Sequence, residues 1–378
     1  MEQKSKQAYD VAAFVWPSYT GDEPRSRIFW EEGYGEWQTV KNIRKNSMDK
    51  PADYVWDRKP LWGYVNEANP DVMRMQIDCA YEHGVNVFIY DWYWYDDRPF
   101  LENCLNDGYL KAKNNDLVRF YIMWANHDAS HMWDVRTADT VGPEVLWHGD
   151  VSFDSFKTIV HRWIDKYFSH PSYYTIDGKP VLMIYSITNL LKSFGGTEGT
   201  QRAIQYFRDE VVKAGFPGLH LQMVYNAFEG FDYDGRFGGT AGDIYELLDI
   251  DSVSHYNMGT SKERNGDYTE FTKLHKQTYE EMDRKGRLYF PQVSVGWDAN
   301  PRFRVFQPSI SVNNTPENVG RALRQAKEYV DTHELPAPLV LINSWNEWTE
   351  TSYLQPDNLY GYGYLEAVRN VFVDEEKT

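Results

Sequence analysis

A chain of 378 residues can bury a large core, and its formal charge of −17 leaves no basic surface for a nucleic-acid backbone or an anionic membrane. Aromatic residues make up 16% of it, with 14 Trp and 28 Tyr, more than core packing requires, and partly exposed indole and phenol rings suit the apolar faces of sugars. Two cysteines, Cys79 and Cys104, form neither a disulfide framework nor a metal-ligand spacing, so no structural zinc is expected, and with no GxGxxG or P-loop after the first apolar run no nucleotide cofactor is expected.

Residues 1–10 are polar and read as disordered, or as the remainder of a trimmed signal peptide. A trimmed peptide implies the periplasm, the cell surface or secretion; otherwise the compartment is the cytoplasm. No run approaches the ~18 consecutive apolar residues of a transmembrane segment. From residue 11, apolar runs of strand length recur at 11–16, 86–92, 119–124, 180–185, 220–225, 252–256, 289–295 and 339–345. Amphipathic stretches at 70–83, 153–168, 201–214, 271–284 and 316–330 carry helix spacing. The first of these turns Val72, Met75, Ile77, Cys79 and Ala80 inward and stops at Gly84, while Gly215 and Gly286 occupy the C-terminal stop of two others. Eight strands alternating with helices predict an α/β chain closed as a (β/α)8 TIM barrel, a single catalytic domain over 11–378, expected to be a monomer. The insertions after strands 1, 3, 5 and 7 then become long loops at the C-terminal face, where such barrels carry their chemistry. The largest, residues 17–68, holds Trp30, Glu36, Trp37, Trp56 and Trp62.

Several strand ends share one style, aromatic rings beside a carboxylate or amide. Strand 1 ends at Trp16 with Tyr19 following, and strand 2 ends in Tyr90, Asp91, Trp92, Tyr93, Trp94. Strand 3 ends in Trp124, Ala125, Asn126, His127, Asp128, while strands 5 and 6 end in Tyr225 and Tyr256. Strand 7 leads to Trp297, Asp298 and Arg302. Alternation lets only part of each set face the barrel mouth, and Tyr90 and Asp91 are equal candidates for it. Together these clusters predict a carbohydrate-binding cleft.

The last strand opens into Asn343, Ser344, Trp345, Asn346, Glu347, Trp348, Thr349, Glu350. Glycoside hydrolysis needs one carboxyl to protonate the departing oxygen and an ionised partner, and two carboxylates close together split their pKa values. On one helical turn, Glu347 and Glu350 would stand with Cβ atoms about 5–6 Å apart, with Trp345 and Trp348 desolvating them. The alternative is a capping box in which Asn346 starts a helix.

From 11 to 365 the chain resembles glycoside hydrolase family 99 and the related family 99-like, or WbsX-type, domains of polysaccharide loci. The matching landmarks, in order, are Gly35-Glu36-Trp37, Leu61-Trp62-Gly63-Tyr64, Asp91-Trp92-Tyr93, Trp124-Ala125-Asn126, Gly296-Trp297-Asp298 with Arg302, and Asn346-Glu347-Trp348-Thr349-Glu350. The resemblance implies a retaining endo-acting α-glycosidase, typified by endo-α-mannosidases and mannanases, needing no metal. Glu347 would deprotonate the sugar's own 2-hydroxyl, which attacks the anomeric carbon; Glu350 would protonate the leaving oxygen and then activate water. It also implies that Trp16, Tyr19, Glu36, Trp37, Trp62 and the strand-end residues above, with Asn346, bind substrate. The chain departs from the pattern at Thr351 and Gln355, where the family has glycine and glutamate, and at His127, where it has glutamate. Two other readings stay open: a WbsX-type glycosyltransferase of polysaccharide biosynthesis, which would need a nucleotide-sugar site, and a non-catalytic glycan-binding barrel.

Overall fold

The computed structural model describes residues 8–21, 23–46, 50–225, 230–257 and 266–374. Eight parallel strands form a (β/α)8 barrel: β1 (Asp10–Val15), β2 (Val87–Tyr95), β3 (Arg119–Trp124), β4 (Lys179–Ile184), β5 (His220–Val224), β6 (Ser252–Ser254), β7 (Gln292–Ser294) and β8 (Leu339–Asn343). They pair in the order β6-β5-β4-β3-β2-β1-β8-β7. The barrel closes between β6 and β7 through a parallel bridge from Val253 to Tyr289, in which Val253 N donates to Leu288 O (2.9 Å) and Phe290 N to Val253 O (3.0 Å). The strands are buried along their whole length except for the first residues of β3 and β4, as near-continuous apolar runs in a parallel sheet require.

Two strand limits differ from the sequence reading for visible reasons. β2 runs on to Tyr95 because Tyr93, Trp94 and Tyr95 pair antiparallel with Phe100, Pro99 and Arg98. β7 shrinks to Gln292–Ser294, with Tyr289 ahead of it in the closing bridge and Pro291 O accepting from Leu341 N (2.9 Å) of β8.

The helices Pro70–Glu82, Phe153–Trp163, Thr197–Lys213, Tyr268–Arg284 and Pro316–Thr332 cover the barrel. Local chemistry fixes their starts: the side chains of Asn69, Ser152, Asp267 and Thr315 each accept an orphan backbone N–H of the first turn. Gly215 and Gly286 follow two of them with φ of +97° and +63°, the stop that glycine supplies. The ring is thin in two places, where a π-helical turn (Cys104–Tyr109) follows β2 and only the short helix Ile244–Leu247 follows β5.

The inward face of Pro70–Glu82 needs correction. Met73, Gln76, Ile77, Cys79 and Ala80 are buried, whereas Val72 and Met75 are half-exposed. The helix is rotated by about one residue because Gln76, a polar side chain that hydrophobic periodicity ignores, turns in to bond Trp345 and Glu67.

Candidate active site

Strand alternation resolves the sequence ambiguity at β2. Tyr90 points outward onto Tyr109 and Phe120, while Asp91 and Tyr93 face the barrel mouth. They line a pocket with Trp16, Met123, Ala125, His127, Trp133, Tyr185, Tyr256, Arg302, Glu347 and Glu350. Its empty volume of about 360 Å³ is at the small end of ligand cavities, ~300–1,000 Å³.

The two glutamates do not sit on a helix. After β8, Asn346 and Glu347 pair antiparallel with Tyr353 and Ser352, and a 3-10 turn, Trp348–Glu350, completes the loop. Ser344 pins it twice, its hydroxyl donating to Ser352 O (2.6 Å) and accepting from Glu347 N (2.8 Å). Asn346 ties the loop to β1, accepting from Trp16 N (2.8 Å) and donating to Trp16 O (2.9 Å), as a neighbouring strand would. Thr351 takes a left-handed φ of +56°, which explains glycine in the family pattern. Its hydroxyl offsets the strain by accepting from Trp56 Nε1 (2.8 Å) and donating to Asp298 O (2.9 Å).

Glu347 and Glu350 share one guanidinium. Arg302 Nη2 donates to Glu347 Oε1 (2.6 Å), Nη1 to Glu350 Oε1 (2.7 Å), and Nε to Glu36 Oε1 (3.0 Å) behind the pocket. Glu36 also accepts from the Trp16 indole at 2.5 Å. On the far side, the Tyr256 hydroxyl lies 2.9 Å from Glu347 Oε2 and 3.2 Å from Asp91 Oδ2, and its single proton serves one of them at a time. Among the described residues, Asp91 Oδ1 is buried with no hydrogen-bond partner.

Three carboxylates therefore share one cation, with a fourth, Asp91, across Tyr256, and protons make up the difference. Burial pushes Glu347 up to about 8, reinforced by Glu350 and opposed by Arg302. Burial, with Glu347 close by, pushes Asp91 well above the carboxylate range. Burial lowers His127, which stays neutral with Nδ1 2.9 Å from Asp128 O. The site can thus hold a carboxylate and a carboxylic acid side by side at neutral pH, the combination acid/base chemistry needs. Tyr256→Phe removes a donor to ionised Glu347, so its titration should move above about 8. Carboxyl ¹³C NMR, with Glu347→Gln to assign the signal, checks the direction; a downward shift contradicts this account.

Of the candidates read from sequence, Trp16, Asp91, Tyr93, Tyr256, Arg302, Glu347 and Glu350 meet in the pocket. The others stand outside its lining. Trp92 donates to Glu102 (2.7 Å) and packs with Trp124 around Trp163 on the outer face of the barrel, with Trp94 stacked on Trp92. Asn126 clamps the β3 and β4 loops through Ser186 N and O. Tyr19 accepts from Trp348 N (3.1 Å), and Trp37 packs on Tyr19 while donating to Val65 O (2.8 Å). Trp62 rests on Trp345 and Tyr362, and Tyr225 stacks on Phe231. Asp298 accepts from Tyr54, Asn300 N and Asn300 Nδ2, shaping the turn that presents Arg302, with half-exposed Trp297 beside it. Nor do Trp345 and Trp348 enclose the glutamates: their indoles point away, to Gln76 and Gln355. Gln355 lies in the same place, away from the pocket. Ala125 and His127, named in the strand-end cluster of β3 without a binding role, line the pocket with Met123 as the inward series of that strand; Tyr185 follows β4, and Trp133 comes from a 3-10 turn with no periodic signal.

The family described as "Glycosyltransferase WbsX" matches residues 11–368. The chain belongs to this WbsX family. A relative in Xanthomonas campestris pv. campestris, the uncharacterized protein WxcX, is 26% identical over 362 residues, covering 95% of this chain and 49% of its own length. The chain thus spans about half the length of the curated relatives it matches. Among solved structures, the family 99 endo-alpha-mannosidase from Bacteroides thetaiotaomicron superposes with a TM-score of 0.56 at 14% identity, covering 97% of both chains. A "glycoside hydrolase-like protein" gives 0.57 at 16% identity, covering 98% of this chain and 95% of its own. At these identities the likeness is one of fold. Among the described residues of this WbsX-family chain, no helix is long and apolar enough to cross a membrane.

Proposed function

We propose that this WbsX-family barrel is a retaining glycoside hydrolase acting on α-linked polysaccharide or oligosaccharide, in the manner of an endo-α-mannosidase. The observation that carries it is the pair Glu347–Glu350 on one Arg302 guanidinium, at the C-terminal mouth of the barrel. The Glu347 side chain is 3% exposed and that of Glu350 14%. The deeper Glu347 suits a base for a ring hydroxyl, and its elevated pKa makes it a strong one near neutrality. Glu350, nearer the opening, suits proton delivery to the departing oxygen and activation of water. Attack by the sugar's own 2-hydroxyl then needs no enzymic nucleophile, and Tyr256 and Arg302 keep Glu347 oriented.

The family description favours a second reading, a glycosyltransferase. The charge of the pocket speaks against it. Arg302 is the one cation among the described lining residues, and three carboxylates already engage it, whereas a nucleotide diphosphate needs free cations or a helix N-terminus. Oligosaccharides with different α-linkages, incubated with the protein and followed by ¹H NMR, test the proposal. Release of product with retained anomeric configuration is expected. Inversion rejects the neighbouring-group route, and turnover only with a nucleotide sugar rejects hydrolysis.

A further inference from the structure

Outside the pocket, behind the loop that carries the glutamates, lies a second buried acid. Glu67 ends the long insertion after β1, and its carboxylate receives four donors. Gln355 Nε2 (2.9 Å) and Gln76 Nε2 (3.1 Å) reach Oε1; Asn346 Nδ2 (2.8 Å) and the Cys104 thiol (3.9 Å) reach Oε2. Among the described residues no ion pair reaches it. The carbonyls of the same amides receive the two indoles of the loop, Trp345 Nε1 to Gln76 Oε1 (2.8 Å) and Trp348 Nε1 to Gln355 Oε1 (2.7 Å). Asn346 spends its remaining capacity on the backbone of Trp16, a pocket wall. Each segment flanking Glu347, before and after it, therefore refers back to Glu67.

We propose that Glu67 is a positioning residue for the reaction: through Asn346, Gln76 and Gln355 it sets the orientation of the loop bearing Glu347 and the placing of Trp16. An acceptor-only carboxylate fits this task. Four donors converge on it, and a carboxamide at the same place would turn N–H toward at least one of them. The proposal rests on reading Glu347 as a reacting group. It also accounts for Gln355, which stands where the family pattern has glutamate: an acid there would face Glu67 across 2.9 Å.

The ionisable groups facing Glu67 are Cys104 from the π-helical turn, Tyr90 from β2 and Tyr19 from the loop after β1, all buried and all pushed upward, so they stay neutral. Burial drives Glu67 up to about 7 against the pull of its four donors. Its ionised form, the one the donors satisfy, is populated above that pH.

The test uses the full chain labelled with ¹⁵N-tryptophan. The indole signals of Trp345 and Trp348 and the backbone amide of Trp16 are assigned by single Trp→Phe substitutions and followed through pH 5–9. In the wild type all three should titrate together near pH 7. In Glu67→Gln that transition should vanish, the Trp16 amide should move, and kcat for a cleaved α-linked oligosaccharide should fall about 100-fold with little change in KM. The idea is overturned if Trp345 and Trp348 respond while the Trp16 amide stays still, or if kcat is unchanged. Gln355→Glu supplies a second arm should Glu67→Gln fail to fold: the added carboxyl should shift the transition to higher pH, and an unmoved midpoint overturns the idea. The NMR readouts need no turnover, so a failure of the hydrolase reading leaves them decisive.

Discussion

Glu350→Gln should lower kcat on a natural α-linked oligosaccharide by about 10²–10⁴-fold, the usual worth of a positioned proton donor. It should cost far less on a substrate whose leaving group is an acidic phenol, because such a group departs without a proton. Glu347→Gln should lose a comparable factor on both substrates, since the 2-hydroxyl must be deprotonated whatever departs. The contrast follows from placement: both carboxyls hang on Arg302, but Glu350 is the more open of the two. Initial rates with the paired substrates measure it, and equal losses for both variants on the phenyl substrate would remove the assigned division of labour. Because the base must be ionised, kcat/KM of the wild type should rise with pH through the Glu347 transition near 8.

Arg302→Met should cost ~3–5 kcal/mol of stability, the range for removing one partner of a buried ion pair. Three carboxylates would lose their cation: Glu36 at 3.0 Å, Glu347 at 2.6 Å and Glu350 at 2.7 Å. The folded-state pKa of Glu347, already raised by burial to about 8, should then rise further above the unfolded value. Between those two values the folded variant binds more protons than the unfolded chain, so its stability falls as pH rises. The wild type loses stability with the same slope up to about pH 8, so the deficit against it should widen only above that and be larger at pH 9 than at pH 6. Urea unfolding at the two pH values checks both size and sign, and an equal deficit at both would show that the guanidinium's packing, not its charge, matters.

The barrel was legible because a buried parallel strand must be an unbroken apolar run, and the runs starting at 11, 119, 220 and 339 coincide with strands to within a residue or two. The glutamates proposed as the acid/base pair stood out because their loop follows directly on such a run. Less legible was which aromatic residues serve the pocket. Trp92, Trp94 and Trp124 look like a binding platform in a one-dimensional list, yet their parity on β2 and β3 turns them to the helices, while Met123 and His127 turn inward. Parity becomes readable only when one residue of the strand is placed, and here Asp91 places it. Least legible was Glu67, an acid in a loop with no pattern around it, whose partners lie 9, 37, 279 and 288 residues away in sequence.

The closure of the barrel has a dynamic consequence. β6 and β7 are held to each other by the Val253–Tyr289 bridge, whereas β2 and β3 pair over six registered residues. Local opening is cheapest where the fewest backbone hydrogen bonds must break. Tyr256, two residues beyond the end of β6, would ride on any such fluctuation and carry its hydroxyl away from Asp91 and Glu347 together. The pocket wall that supplies a hydrogen-bond donor to Glu347 is thus attached to the seam with the fewest backbone bonds, where the side chains of Ser254 and Gln292 add the ties to Phe290 O and Tyr256 O.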